Sequence, residues 1–342
     1  MPGRYHHHHI SIAAILFPVV LLFTAAGCEK ALGLKDPGKD PVAVFEDVWN
    51  TMDQKYSLFT VKGVDWKNTY QLFRPKVSAG IGEDSLYRVL CSMLSVLKDG
   101  HVTLITPSDT FTYLGFYKNY PINFNYNNIL VNYLHNDYQT SGPLVYKIES
   151  GVGYLYYRSF SEELTEAEVG KAMGALSGAR GLIIDVRSNT GGDSRNADLL
   201  YRHLIMEKQL VKYELRKKGP GHDAFYDPDP WSLSPGVSTY TAPVILLTNR
   251  SCFSACNDFA LYMSQRPNTR LMGDQTGGGG GVPQDFLLPN GWILQYTSTV
   301  TLSAARLPIE AGIQPTENIG ITSVEELSGK DPILEKAFNA LQ

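Results

Sequence analysis

Lysine is missing from the whole stretch between Gly219 and Gly329, and beyond residue 9 the only histidines of this 342-residue chain are His101, His135, His203 and His222. A nucleophile in that stretch therefore has no lysine near it in sequence to act as its base. The four cysteines, Cys28, Cys91, Cys252 and Cys256, are too few for a disulfide framework and are expected to be thiols. Cys252 and Cys256 have no histidine near them in sequence, which excludes a recognisable zinc signature, so no metal is expected. A formal net charge of -4 gives no electrostatic case for nucleic acid. The run Gly277 to Gly281 lacks a following Gly-Lys-Ser/Thr and has no dinucleotide-type spacing, so no nucleotide cofactor is expected.

The chain also lacks an uninterrupted apolar run of the roughly 20 residues that span a bilayer. Its most apolar stretch, Ile10 to Ala26, is broken by Pro18 and ends at Gly27-Cys28, the pattern of an export signal. Small residues directly before a cysteine resemble the bacterial lipoprotein cleavage box, with Ala25 where leucine is usual. That resemblance implies a signal peptide over residues 1–28, acylation of Cys28 as the new N-terminus, and a lipid-anchored protein of the cell envelope. The tract His6 to His9 would leave with the signal and has no metal role.

Residues 29–40, rich in Lys, Asp, Gly and Pro, read as a tether. Val44, Phe45, Val48, Trp49, Met52 and Tyr56 then recur at helical spacing, and a second stripe runs from Leu86 to Leu97 after the capping candidates Asp84 and Ser85. Together they predict a small helical cap over residues 41–100. Residues 101–150 begin with a strand at Val102 to Ile105 and continue as Tyr- and Asn-rich mixed strand and loop. From residue 151 onward strands and helices alternate: strands at Tyr154 to Arg158, Leu182 to Val186, Val244 to Leu247 and Arg270 to Gly273 are separated by helix-length segments. This predicts βαβ units in a layered α/β core.

Three turns follow strands of this core, where α/β sheets collect their ligand-facing residues. The first, Asp185 to Asp193, contains Gly191-Gly192, whose backbone can approach a ligand closely. The second, Leu247 to Ala255, leads into a helix whose first turn holds Ser254. A serine there is either an N-cap or a nucleophile favoured by the helix N-terminus, and local sequence leaves both readings open. The third is Gly273-Asp274-Gln275-Thr276 with the glycine run, read as a loop flanking a substrate. A nucleophilic serine needs a base, and His101, at the switch from helix to strand in Lys98-Asp99-Gly100-His101-Val102, is the candidate.

These segments together resemble the C-terminal processing (tail-specific) peptidases, whose core has the Clp-protease and crotonase type of fold. The resemblance rests on Leu97 to His101, Gly181 to Arg187 with Gly191-Gly192, Thr248 to Ala255, Gly273 with Thr276, and Glu310 to Thr316, closing with a helix over Asp331 to Leu341. Many members use a lysine base about 25 residues after the serine; here that position is Gly279. The chain is instead similar to the tricorn-like branch. That likeness implies Ser254 as nucleophile, His101 as general base and then acid, and Glu310 as the acidic partner. It also implies an oxyanion hole from the amides of Ala255 and of Gly191 or Gly192, with a polypeptide as substrate.

Two departures stand against the pattern. Asn257 occupies a position where many members have glutamate, and only about 50 residues separate His101 from Tyr154, too few for an inserted peptide-recognition domain. The first motivates an alternative, a peptide- or apolar-ligand-binding module of the same fold without turnover. An acyl-CoA enzyme of crotonase type would need a nucleotide pocket that the sequence does not suggest.

Overall fold

The computed structural model describes residues 40–342; the export signal, Cys28 and residues 29–39 of the tether lie outside the described residues. Asp40 caps helix α1 (Pro41–Lys55), accepting a hydrogen bond from the Val42 amide, and Pro41 sits in the first turn, where its missing N–H costs nothing. The stripe Val44, Phe45, Val48 and Met52 is buried. Helix α2 (Trp66–Phe73) follows, and α3 (Glu83–Ser95) buries Leu86, Leu90, Met93 and Leu94. Asp84 and Ser85 do not cap α3. Gly82 holds the N-cap position, its carbonyl accepting from the Ser85 and Leu86 amides, while Glu83 and Asp84 put negative charge against the helix N-terminus.

The cap is not closed on itself. Its core runs on into Leu104, Trp292, Leu294, Tyr296 and Val300, so strands from residues 101–105 and 292–302 complete it. Thr103–Ile105 and Ile293–Thr297 belong to a four-stranded antiparallel sheet in the order Pro283–Leu287, Ile293–Thr297, Thr103–Ile105, Thr110–Thr112, whereas Thr299–Leu302 pairs antiparallel with Gln209–Arg216 in a separate three-stranded sheet. The packing unit therefore spans both sides of the boundary expected near residue 100.

The central sheet has seven strands: β1 (Gln139–Ser141), β2 (Leu144–Glu149), β3 (Val152–Tyr157), β4 (Leu182–Asp185), β5 (Val244–Thr248), β6 (Thr269–Gly273) and β7 (Glu317–Asn318). Their order across the sheet is the order along the chain. β1–β3 pair antiparallel and β3–β7 parallel. Helices α4 (Glu166–Leu176), α5 (Ser194–Arg202) and α6 (Ala255–Gln265) form the crossovers, and α7 (Pro332–Leu341) closes the chain. Successive side chains of a strand face opposite ways. Leu182, Ile184 and Leu246 accordingly pack with Val169, Leu200 and Phe259 of the crossover helices, while Ile183, Ile245 and Leu247 pack with Ile333, Leu334 and Ala337 of α7.

Between residues 106 and 138 the regular pieces are short, a three-residue strand and helical turns at Gly115–Lys118 and Tyr126–Tyr133. Pieces of that length carry no periodicity to read. Behind the sheet, the fully buried guanidinium of Arg187 pairs with Asp185 at 2.7 Å and with Asp331, the N-cap of α7, at 2.8 Å. Burial opposes the charge of Arg187, and the two carboxylates outweigh it, holding its pKa above the ordinary range. The link ties the end of β4 to the closing helix and stiffens the turn that carries Gly191-Gly192.

Candidate active site

Strands β4, β5 and β6 are neighbours with Asp185 opposite Leu247 and Thr248 opposite Gly273, so the three turns emerge side by side at the carboxyl edge of the sheet. Ser254 occupies the N-cap position of α6, yet its side chain makes no capping bond. Its backbone lies at φ 56°, ψ -123°, a region that non-glycine residues avoid at a cost of about 1–3 kcal/mol. The turn is held by the Ser254 amide donating to the Gly278 carbonyl at 3.0 Å. A Cβ on Gly191 would come within 2.5 Å of the Phe253 carbonyl oxygen and 2.9 Å of the Ser254 Cβ, so only glycine lets the first turn pack against the second.

The Ser254 hydroxyl lies 2.9 Å from Nε2 of His101. The His101 ring is buried and rests on the Phe253 ring, with centroids 4.6 Å apart, and its amide donates to Asp99 Oδ1 at 2.8 Å. Desolvation pushes the imidazole pKa below its ordinary value, opposed by the charges of Asp99 and Asp258. A neutral imidazole beside a hydroxyl is the resting arrangement of a general base. Nδ1 is buried and has no hydrogen-bond partner among the described residues.

Glu310 does not bond to the imidazole. Its carboxylate accepts from the Gly280 amide at 2.8 Å and pairs with Lys62 Nζ at 2.5 Å. Burial first, and then the charge of Asp99, push its pKa up to about 7, against the opposing pull of Lys62 and the Gly280 amide. Asp99, wholly buried, accepts from the Tyr56 hydroxyl at 2.9 Å and the Thr297 hydroxyl at 2.7 Å besides the His101 amide. The carboxylates that act on the histidine are thus Asp99 and Asp258, and Asp99 stands two residues from it. Its place in the motif around His101 was the available signal. Lys62 ends a single helical turn, Phe59–Lys62, and has no sequence cue.

Of the two glycines in the first turn, Gly191 donates its amide to the Asn189 side chain at 2.9 Å and is committed. Gly192 lines a cavity of about 110 Å³ together with Ser254 and Ala255. Ala255 is the first residue of α6, where an amide has no partner inside the helix. Two N–H groups, Gly192 and Ala255, are therefore the donors available beside the serine. Lys212 also lines this cavity, and its ammonium pairs with Asp258 at 2.5 Å. Burial works against its charge, but Asp258 prevails and raises the pKa, so Lys212 stays protonated and does not compete as a base. At Gly279 even a Cβ would meet the Phe253 ring at 2.4 Å, leaving no room there for a lysine.

Asn257 faces away from the serine. Its amide donates to the Ile309 carbonyl at 3.2 Å and accepts from the Thr276 hydroxyl at 2.6 Å, clamping the segment that carries Glu310 onto α6. Cys252 and Cys256 are free buried thiols, and among the described residues no cluster of metal-ligating side chains occurs.

The profile of peptidase family S41 matches residues 151–319, and that of the tricorn protease C1 domain matches residues 37–95. His101 falls between the two matches. Tricorn protease of Thermoplasma acidophilum is 30% identical over 169 residues, which are 48% of this chain and 14% of that protein, so the chain spans a small part of that relative. The crystal structure of a candidate peptidase from Parabacteroides merdae superposes with a TM-score of 0.85 at 37% identity, over 89% of this chain and 97% of that one. Mature CPAF complexed with lactacystin shares the fold, with a TM-score of 0.66 at 12% identity over 89% of this chain and 98% of that one. The chain belongs to peptidase family S41 and is, by that membership, a serine-type peptidase.

Proposed function

We propose that this protein cleaves flexible or C-terminal polypeptide segments in the bacterial cell envelope, held there by a lipid on Cys28, through an acyl-enzyme at Ser254. The observation that carries the chemistry is the 2.9 Å contact between His101 Nε2 and a Ser254 hydroxyl that its own helix does not use as a cap. The Ser254 Oγ attacks the scissile carbonyl carbon while its proton passes to Nε2. The amides of Ala255 and Gly192 receive the oxyanion, at about 3 kcal/mol of transition-state stabilisation per donor. The imidazolium returns the proton to the leaving nitrogen as the C–N bond breaks. Water then attacks the ester, giving its proton to Nε2, which returns it to Oγ as the acid departs. Asp99 and Asp258 favour the imidazolium electrostatically.

A fluorophosphonate is expected to label Ser254, and Ser254→Ala or His101→Ala is expected to abolish both labelling and cleavage of an unfolded protein. Retained activity in either variant refutes the assignment. The unpartnered Nδ1 favours a second reading, a peptide-binding module without turnover. Saturable peptide binding with neither labelling nor products would select it. For the anchor, Cys28→Ser is expected to abolish incorporation of a labelled fatty acid; incorporation that persists refutes lipidation there.

A further inference from the structure

The cavity of about 110 Å³ beside the nucleophile is lined by Ser254 and by both oxyanion donors, Gly192 and Ala255, but not by His101. In the tetrahedral intermediate the former carbonyl carbon carries the Ser254 Oγ, the oxygen held by the donors, the leaving nitrogen, and the α-carbon of the residue that precedes the scissile bond. The nitrogen departs past the imidazole that protonates it. A space that touches the nucleophile and the donors and avoids the imidazole is therefore where the side chain of that preceding residue goes.

Charged groups in such a place decide which side chain enters. Lys212, from the strand Gln209–Arg216, and Asp258, one turn after Ser254 in α6, both line the cavity, and each is 7% exposed. The other lining residues carry no charge. The Lys212 ammonium meets the Asp258 carboxylate at 2.5 Å, through Oδ2. That contact uses one of the three N–H donors of the lysine. Among the described residues no other acceptor bonds the ammonium, and nothing donates to Oδ1 of Asp258. A further carboxylate near Lys212, that of Asp198, accepts from the Trp231 indole at 3.1 Å and does not line the cavity. The pair is thus neutral as a unit, yet it keeps spare donors and a spare acceptor.

We propose that the Lys212–Asp258 pair makes this cavity a pocket for a carboxamide side chain, asparagine or glutamine, on the residue whose carbonyl Ser254 attacks. A carboxamide carries an acceptor and a donor on separate atoms, as the pair does. Its oxygen accepts from the Lys212 ammonium, and its nitrogen donates to Asp258. A charged side chain of either sign adds an unmatched charge to a buried neutral pair. An apolar one strips water from the spare donors and acceptor and returns nothing. Lys212 and Asp258 are in this way specificity-determining residues. The inference deepens the peptidase reading and rests on it for the position of the acyl group.

The test is a competition among unstructured peptides that differ at one position, cleaved together and read by mass spectrometry, so that ratios of kcat/KM are measured within one protein and any general loss of activity cancels. Asparagine is set against its near-isostere leucine, and glutamine against methionine, with alanine, aspartate and lysine alongside. Cleavage after asparagine or glutamine is expected to be favoured about tenfold or more over the apolar isostere, with aspartate and lysine poorest. Lys212→Met combined with Asp258→Leu removes the pair without leaving a buried charge and is expected to invert the preference toward leucine and methionine. Equal cleavage after asparagine and leucine by the wild type, or a preference that the double variant retains, overturns the pocket. Should the double variant not fold, the wild-type ratios decide alone. Wild-type protein that labels with fluorophosphonate but shows no such preference refutes the pocket and leaves the peptidase reading standing. Failure both to label and to cleave any peptide refutes the peptidase, and the pocket with it.

Discussion

Nε2 of His101 and Oγ of Ser254 stand 2.9 Å apart, although 153 positions separate the two residues in sequence. The helical cap leads into the turn bearing the histidine, and the central sheet presents the serine. The contact is bought with backbone strain at Ser254, whose φ of 56° glycine would adopt freely. Ser254→Gly is therefore expected to lose activity and gain stability. Relief of about 1–3 kcal/mol of strain exceeds the roughly 0.5–1 kcal/mol of added chain entropy, for a net gain near 1 kcal/mol in urea unfolding. A destabilised glycine variant would show that the turn is not strained.

Burial holds the His101 pKa below its ordinary value, and Asp99 is the largest influence raising it. The base works in its neutral form, so the acidic limb of kcat/KM is expected below the usual imidazole range. Asp99→Asn removes the opposing charge. The limb is expected to move to still lower pH while kcat falls, because the imidazolium of the transition state loses its neighbour. A limb that stays in place or moves up with the asparagine rules out this electrostatic role.

Asn257 donates to the Ile309 carbonyl and accepts from Thr276. Asn257→Asp keeps the acceptor but sets a buried carboxylate against a carbonyl oxygen, with an expected loss of about 1–3 kcal/mol. Urea denaturation measures it, and a loss below a few tenths of a kcal/mol would mean that the clamp is unimportant.

The order of strands and helices in the core followed from period and spacing, because each βαβ unit is local and buries its own face. The choice between cap and nucleophile at Ser254 did not, since it turns on a backbone angle set by packing against Gly191 and Gly278. The cap's core was hidden for a related reason. Trp292 and Leu294 complete it from the far end of the chain, and no local pattern links them to Phe45 or Leu90. The partner of Glu310 was equally out of reach: Lys62 ends a four-residue helix that carries no signal of its own.

Lys62 is where that missing information has its sharpest consequence. It is the cation paired with Glu310, whose pKa burial and Asp99 raise from 4.5 to about 7. A carboxyl with a raised folded pKa binds more protons in the native than in the unfolded state, so its contribution to stability is fully present below about pH 4.5 and is lost as pH rises through about 7. Lys62 restrains that loss by favouring the carboxylate. In Lys62→Gln the restraint is gone, the Glu310 pKa rises further, and the unpaired charge must be accommodated in a buried site. The variant is expected to be near wild type at pH 5, where Glu310 is protonated in both proteins. At pH 8 it is expected to be less stable by about 1–3 kcal/mol. Urea unfolding at the two pH values measures the difference, and Lys62→Gln with Glu310→Gln is expected to remove it. A penalty of equal size at both pH values would mean that Lys62 acts through packing alone, and that Glu310 is not the group it holds in charge.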